Sequence, residues 1–393
     1  MQAIQKTITF VKNIIMEWIH RSIENQLNEL IVSGKVFVLY GARRVGKTSV
    51  IEKYIKSNFQ NFFIGTGDDF QLRDILSSEN QNLINTAFKG YDIVFIDEAQ
   101  RISNIGWGLK LLVDSNPELK IVASGSSSFQ LSSKTGEPLT GRQKTFKLFP
   151  IAVMEIEHIK GGIHILQNLK DYLIYGTYPE TLLAPNYQNK QDYLISLRNS
   201  YLFKDILELD NVKNPDKLID LLKLIAFQIG NEVSLNELSL SLGIAKQTVE
   251  RYLDLLEKSF IIIKVRAYSS NLRKEISKSS RYYFWDNGIR NSIINNFNDV
   301  NSRMDIGMLW ENFCFIERIK KQTYQKIFSN NYFWRTYDQQ EVDLIEERDG
   351  QLWGFEFKWN TRKAVKAPPS FIGTYTNAHF KCITPDNFLE FVL

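Results

Sequence analysis

Gly41-Ala-Arg-Arg-Val-Gly-Lys-Thr48 satisfies the pattern G-x-x-x-x-G-K-[ST] at every fixed position, and it constrains the fold more than any other stretch of the chain. The apolar run Lys35-Val-Phe-Val-Leu-Tyr40 before it reads as a buried strand, and Ser49-Val-Ile-Glu-Lys-Tyr-Ile55 after it reads as a helix. In such a unit the glycines let the backbone curl until its N–H groups face a phosphate-sized concavity, and the helix N-terminus adds partial positive charge. Gly41, Ala42, Arg43, Arg44, Val45, Gly46, Lys47, Thr48 and Ser49 are therefore the candidate nucleotide-binding residues. Lys47 is placed to reach the β- and γ-phosphates of ATP, and Thr48 to offer its hydroxyl to Mg²⁺.

Tyr91-Asp-Ile-Val-Phe-Ile-Asp-Glu-Ala-Gln100 reads as an apolar strand ending in two adjacent carboxylates. Asp97 at the strand tip is a candidate Mg²⁺ ligand, directly or through water, and Glu98 can orient and polarise a water for attack on the γ-phosphate. The competing reading makes the pair a helix cap. A third strand, Leu119-Lys-Ile-Val-Ala-Ser124, runs into Gly125-Ser-Ser-Ser128. Ser124 and Ser126 are candidates for sensing the γ-phosphate or the attacking water, against the alternative of an ordinary Ser-rich turn.

The length of 393 residues allows two to four domains, and a 44% hydrophobic share supports real cores. A formal charge of only +4 does not by itself compel nucleic-acid binding, so the local distribution of charge has to carry that argument. Cys314 and Cys382 are far apart and lack metal-type spacing, which predicts a reduced compartment and no disulfide framework. No apolar run approaches a membrane span and no signal-peptide layout opens the chain, so a soluble cytoplasmic protein with no membrane partner is expected.

The region from Phe10 to about Leu30 reads as an amphipathic helix leading into the first strand. Strands and helices then alternate as far as Phe146-Lys-Leu-Phe-Pro150, which predicts an α/β P-loop core with a parallel sheet over residues 1–151. Residues 152–229 turn Leu-rich and helical, with a break at Gly176-Thr-Tyr-Pro-Glu180 and a further segment at Tyr201–Ile206, and read as a helical lid. Residues 230–300 read as a winged helix: Ser234 caps a first helix, Gly243 turns, Ala245–Lys258 forms a second, and a strand from Phe260 leads to a wing tip at Ser269–Asn271. Lys246, Gln247 and Arg251 lie toward the start of the second helix, and Lys264, Arg266, Arg273, Lys274, Lys278 and Arg281 follow it. Basic charge there favours contact with a DNA backbone, Lys246, Gln247, Arg251, Arg273 and Lys274 being the candidates. A solvated wing resting on protein is the alternative.

Residues 301–393 mix a helix over Met308–Lys320 with aromatic-rich strands. Two alternating segments, Glu341–Ile345 and Leu352–Trp359, are joined by a turn at Asp349-Gly350, so Glu356 and Lys358 share one face and Phe355 and Phe357 the other. The set resembles the PD-(D/E)xK nuclease signature, with Val342 where that motif carries proline. The resemblance implies an α+β restriction-endonuclease-like domain in which Asp343 and Glu356 hold Mg²⁺, Lys358 helps activate water and Glu311 is an extra acid. A hairpin with a solvated charged face, or a nuclease fold without activity, is the alternative.

Taken along its length, the chain resembles the AAA+-type ATPases of archaea and bacteria that pair the ATPase with a C-terminal domain of unassigned function. The features that carry the likeness are the P-loop, the Ile-Asp-Glu-Ala-Gln strand end, the Ser-Gly-Ser-Ser turn, Leu139-Thr-Gly-Arg142, Gly176-Thr-Tyr-Pro-Glu180 and Tyr282-Tyr-Phe-Trp-Asp-Asn-Gly288. The resemblance implies ATP hydrolysis by Lys47 and Glu98. It also implies an arginine finger at Arg142 reaching a neighbouring subunit's γ-phosphate, and hence a homo-oligomer; an ordinary surface arginine paired with an acid is the alternative. Three functions remain open: an ATP-driven motor or remodeller on DNA, a nucleotide-gated regulatory or defence switch, and an ATP-dependent metal nuclease.

Overall fold

The computed structural model describes residues 18–126, 139–200, 212, 214–269, 280–336, 338–360 and 365–393. Residues 10–17 of the expected helix from Phe10, the segment Tyr201–Ile206, and Asn271, Arg273, Lys274 and Lys278 of the expected wing lie outside the described residues; the described rest of that first helix is not one continuous helix. A 3-10 turn over Ser22–Gln26 and a short helix α1 (Leu27–Leu30) lead into the first sheet.

That sheet contains β1 (Val36–Tyr40), β2 (Phe62–Thr66), β3 (Ile93–Asp97), β4 (Lys120–Gly125) and β5 (Gln143–Lys147), in the order β2-β3-β4-β1-β5, with every pairing parallel. Strands β1, β3 and β4 are near-continuous apolar runs because both of their faces are covered. Helices α3 (Phe70–Ser77), α4 (Gln81–Ala87) and α5 (Ile105–Ser115) seal one face with Leu76, Ile84, Leu109 and Leu112. Helix α2 (Lys47–Asn58) presses Ile51 and Ile55 onto the other face. Leu148, just after β5, donates its backbone N–H to Tyr40 at 2.7 Å, which brings its carbonyl against the start of the P-loop. A Cβ on Gly41 would lie 2.1 Å from that oxygen, so only glycine fits.

Helices α6 (Val153–Tyr175, broken at Gly161), α7 (Pro179–Leu183), α8 (Tyr187–Leu197) and α9 (Pro215–Phe227) follow. Next come β6 (Glu232–Val233), α10 (Leu235–Leu242), α11 (Lys246–Lys258), β7 (Ile262–Ala267), β8 (Ser280–Phe284) and α12 (Asn287–Ile293). The C-terminal part adds α13 (Ile306–Tyr324), β9 (Asn330–Arg335), β10 (Glu341–Arg348), β11 (Gln351–Phe357), α14 (Pro369–Thr374), β12 (Ala378–Ile383) and α15 (Phe388–Val392). The second sheet runs β12-β11-β10-β9-β7-β8-β6. The β7–β8 hairpin therefore continues into the C-terminal strands, through the parallel pairs Arg266↔Tyr332 and Ala267↔Phe333, and the sheet crosses residue 300 unbroken. Asp349 and Gly350 both take positive φ, as a two-residue hairpin turn between β10 and β11 requires.

Helix α13 is buried on nearly every side, from Trp310 and Phe315 to Lys320. Its charged interior groups are paired. Glu317 accepts from Lys320 at 2.6 Å and from the Val153 backbone at 2.7 Å. Lys320 also donates to Ile151 O and Thr177 Oγ1, and Arg318 forks onto Glu346. These bonds tie the C-terminal helix to the exit of the first sheet and to the turn before α7. Glu317→Ala leaves a buried ammonium without its carboxylate, and we expect a loss of about 3–5 kcal/mol, read as a lowered urea midpoint. A variant within about 1 kcal/mol of wild type, the worth of an exposed pair, refutes the clamp.

Candidate functional site

The carboxyl ends of β1, β3 and β4 meet at one edge of the first sheet, the edge at which open α/β sheets bind ligands. The P-loop curls there with Arg44 at φ 59 and Gly46 at φ 98, and Gly46 starts α2. Lys47 is buried in the first turn, its Nζ donating to the carbonyls of Gly41 and Ala42 at 2.9 Å each. Burial pushes its pKa down to about 8, a shift opposed by Glu98 and Asp97 and assisted by Arg43. Thr48 Oγ1 donates to Asp97 Oδ2 at 2.7 Å. One hydroxyl and one carboxylate oxygen, with no dedicated cage, are the donor set that Mg²⁺ takes when substrate phosphates and water complete its shell, so these residues fit the ion.

The two serines support the acids. Ser124 donates to Asp97 Oδ1, while Ser126 Oγ lies 3.4 Å from Glu98 Oε2. Gln100 donates to Glu98 and to Ser126 Oγ, the latter at 3.1 Å, so Glu98 is oriented from two sides. Glu98 takes φ 48, a left-handed conformation uncommon for a non-glycine residue, which turns its side chain off the line of β3. A cleft of about 1110 Å³ opens in front of these groups. Its floor is the P-loop with Glu98 and Arg101, and its far wall is Pro179, Leu183 and Tyr193 of the helical segment. Arg44 reaches across the mouth to Glu180 at 3.6 Å.

The sequence reading missed Arg21. It is buried, and its guanidinium donates to the P-loop carbonyl of Val45 at 2.6 Å and to Phe149 O at 2.7 Å. It also bonds Glu155 Oε1 at 3.1 Å and Tyr324 Oη of α13 at 3.4 Å. Nothing local marks it, because each partner lies far along the chain. Arg142 stands elsewhere. Its carbonyl accepts from Val36, at the end of β1 opposite the P-loop, and its Nε pairs with Asp114 at 2.7 Å on the surface. It is remote from Lys47 of its own chain.

The remaining candidates form two groups. Ser234 caps α10 by accepting from the Glu237 N–H, Gly243 turns in the left-handed region, and α11 buries Val249, Leu253 and Leu256. Lys246, Gln247 and Arg251 are exposed on α11. Arg281 corrects its sequence reading: it is 3% exposed and faces the C-terminal carboxylates instead of solvent. Its NH1 lies 3.6 Å from Glu311 Oε1 and 3.5 Å from Asp343 Oδ1, and its NH2 lies 2.9 Å from Glu341. Tyr283 donates to Glu311 at 2.7 Å, the Phe357 N–H donates to Asp343 at 2.9 Å, and Lys358 pairs with Glu356 at 2.6 Å. The other Glu356 oxygen is buried without a hydrogen-bond partner among the described residues. Burial, with Asp343 adding, pushes Glu311 well up and Glu356 to about 7. Among the described residues no three His, Cys, Asp or Glu side chains are grouped to hold a metal ion.

Comparison with known proteins agrees with the first site. Residues 33–157 match the AAA domain family, residues 166–300 a domain of unknown function (DUF8612), and residues 306–384 another domain of unknown function (DUF4143). The chain thus carries an AAA-type, P-loop ATPase-like domain ahead of two domains with no assigned role. Similar proteins are uncharacterized. One from Methanocaldococcus jannaschii is 24% identical over 83% of this chain and 74% of its own length. One from Haemophilus influenzae is 24% identical over 86% and 88%, and one from Mycobacterium tuberculosis 26% identical over 86% and 74%. Among the described residues no helix is long and apolar enough to cross a membrane.

The depressed pKa of Lys47 has a consequence for ligand affinity. A bound phosphate holds Lys47 charged, whereas in the free protein it loses its proton near pH 8. Binding below that pH needs no extra proton at Lys47; above it a proton must be taken up. ADP affinity measured by calorimetry is therefore expected to fall above pH 8 by up to about tenfold per pH unit, with net proton uptake. Lys47→Arg flattens that profile where it still binds, because a guanidinium does not titrate there. A wild-type affinity independent of pH across the alkaline range refutes the assignment.

Proposed function

We propose that the chain binds ATP with Mg²⁺ in the cleft at the P-loop, hydrolyses it, and uses the cycle to act on DNA. The observation that carries the reading is the convergence of Lys47, Thr48, Asp97 and Glu98, with Ser124 and Ser126 bracing the acids. In this reading the P-loop N–H groups and Lys47 bind phosphate, and Thr48 and Asp97 hold the ion. Glu98, steadied by Gln100, orients the attacking water and accepts its proton. The metal, when bound, supplies charge neutralisation on the β- and γ-phosphates.

Residues 152–229 act as a lid, since Pro179, Leu183 and Tyr193 wall the cleft opposite the P-loop. Residues 230–300 act as a winged helix whose exposed Lys246, Gln247 and Arg251 face a DNA backbone. Arg142 lies at the wrong edge of the sheet to serve its own Lys47, so any finger role operates on a second copy, in a homo-oligomer. One observation favours a nucleotide-gated switch as the second reading: Arg21 links the P-loop carbonyl of Val45 directly to Tyr324 of the C-terminal helix.

ATP turnover measured with and without single-stranded, duplex and branched DNA tests the proposal. We expect stimulation by DNA; slow turnover indifferent to every DNA supports the switch instead. Lys47→Ala abolishes turnover, and Glu98→Gln retains nucleotide but loses about 10²–10⁴-fold in rate, because an amide cannot accept the proton. Near-normal Glu98→Gln turnover overturns that assignment. In the same assay Arg142→Ala is impaired, and mixing it with Lys47→Ala restores some activity; mixed oligomers that show no rescue remove the finger role.

DNA binding has its own test. Replacing Lys246 and Arg251 with Ala should weaken DNA binding about equally across sequences. The slope of log affinity against log salt should become shallower by about 0.9 for each duplex phosphate that the variant no longer neutralises. Identical affinities and slopes assign that face to binding protein.

A further inference from the structure

The carboxylates of the C-terminal sheet surround a cation supplied by the protein itself. Arg281 lies in β8, paired on one side to Val265 of β7 and on the other to Glu232 of β6. Its backbone is therefore fixed inside the sheet and does not travel with a loop. The guanidinium stands over the Phe333 ring at 4.5 Å, and its NH1 sits between Glu311 Oε1 and Asp343 Oδ1. NH2 takes Glu341. Three acids from two elements, Glu311 of α13 and Glu341 and Asp343 of β10, thus converge on one buried arginine.

A metal centre needs a different geometry. Mg²⁺ draws its oxygen ligands to about 2.0–2.1 Å from one point and keeps waters in the remaining positions. Here NH1 holds the Glu311 and Asp343 oxygens 3.6 and 3.5 Å away, with a planar, permanently charged group between them. The second Asp343 oxygen is engaged by the Phe357 N–H, and one of the two Glu356 oxygens by Lys358. Adding a divalent ion beside Arg281 would bring two cations together in a buried space, and drawing the acids onto the ion would leave the guanidinium buried without partners, a cost of several kcal/mol. The residues that resemble a nuclease site do not fit the metal that such a site uses.

We propose that Arg281 is the resident cation of this cluster, taking the place of a divalent metal, so that the C-terminal sheet is a metal-independent structure that does not cut DNA. The arginine comes from the hairpin that follows the helix–turn–helix, and the acids come from the C-terminal part. The same interaction therefore welds the two regions and silences the cluster. The inference does not rest on the ATPase reading.

Titration of nucleotide-free, chelator-treated full-length protein with Mn²⁺, followed by the electron paramagnetic resonance of the free ion, tests it. Any uptake by wild type is expected to be the same in Asp343→Asn, because Asp343 holds no metal. Arg281→Gln should gain roughly one equivalent of Mn²⁺ in an oxygen-lined site, with a melting temperature raised by the ion, and both gains should vanish in Arg281→Gln/Asp343→Asn. Wild-type uptake that Asp343→Asn removes overturns the proposal. So does Mn²⁺-dependent nicking of plasmid DNA that disappears in that variant, or a folded Arg281→Gln that takes up no metal. The wild-type comparison decides the matter even where Arg281→Gln does not fold.

Discussion

The requirement to neutralise charge inside a helix covered on nearly every side shapes this molecule. Helix α13 carries Glu317, Arg318 and Lys320 into the interior, where unpaired charge is prohibitive. Their partners are the Val153 N–H and Ile151 carbonyl at the exit of the first sheet, Thr177 before α7, and Glu346 in β10. Satisfying the three groups together fixes the C-terminal helix against the P-loop domain and against its own sheet. A large shared core, running from Ile23 through α6 and α13 to Val392, closes around those bonds.

Arg21 extends the same logic to the nucleotide cleft. Its guanidinium spends its donors on Val45, Phe149, Glu155 and Tyr324, so the underside of the P-loop and the end of α13 share one rigid fork. The loop's backbone is thus one side chain away from the C-terminal helix, which is the physical content of the switch reading. Arg281 repeats the arrangement at the far end, where a hairpin arginine holds acids from α13 and β10. Both junctions between regions are thus built from one buried arginine and several distant acceptors.

Much of the fold was legible in the chain. The P-loop, the acids ending β3, the Ser234 cap, the Gly243 turn and the Asp349-Gly350 hairpin are written in contiguous residues, because local backbone geometry demands particular residue types. The β-period of β11 correctly sends Phe355 and Phe357 to one buried face and Glu356 to the other. One reading failed where local pattern misleads. Arg281 looks like one more basic residue of a wing, yet its burial depends on the pairing of β8 with β6 and on the acids of β10, both distant from it in sequence. The sequence places Ser124 and Ser126 at and just after the end of β4; that their hydroxyls meet Asp97 and Glu98, 27 and 28 residues away, depends on the fold.

The sequence by itself determined the phosphate-binding strand–loop–helix, the carboxylate-tipped strand beside it and the succession of helical and β-rich segments, since each depends on side chains within a turn or a strand of one another. Only the tertiary structure decided that the hairpin and the C-terminal strands form one sheet, that Arg21 reaches Tyr324 across 303 residues, and that Arg281 fills the carboxylate cluster. The reason is physical: a buried charge takes its meaning from whichever acceptors folding brings within about 3–4 Å, and chain proximity does not specify them.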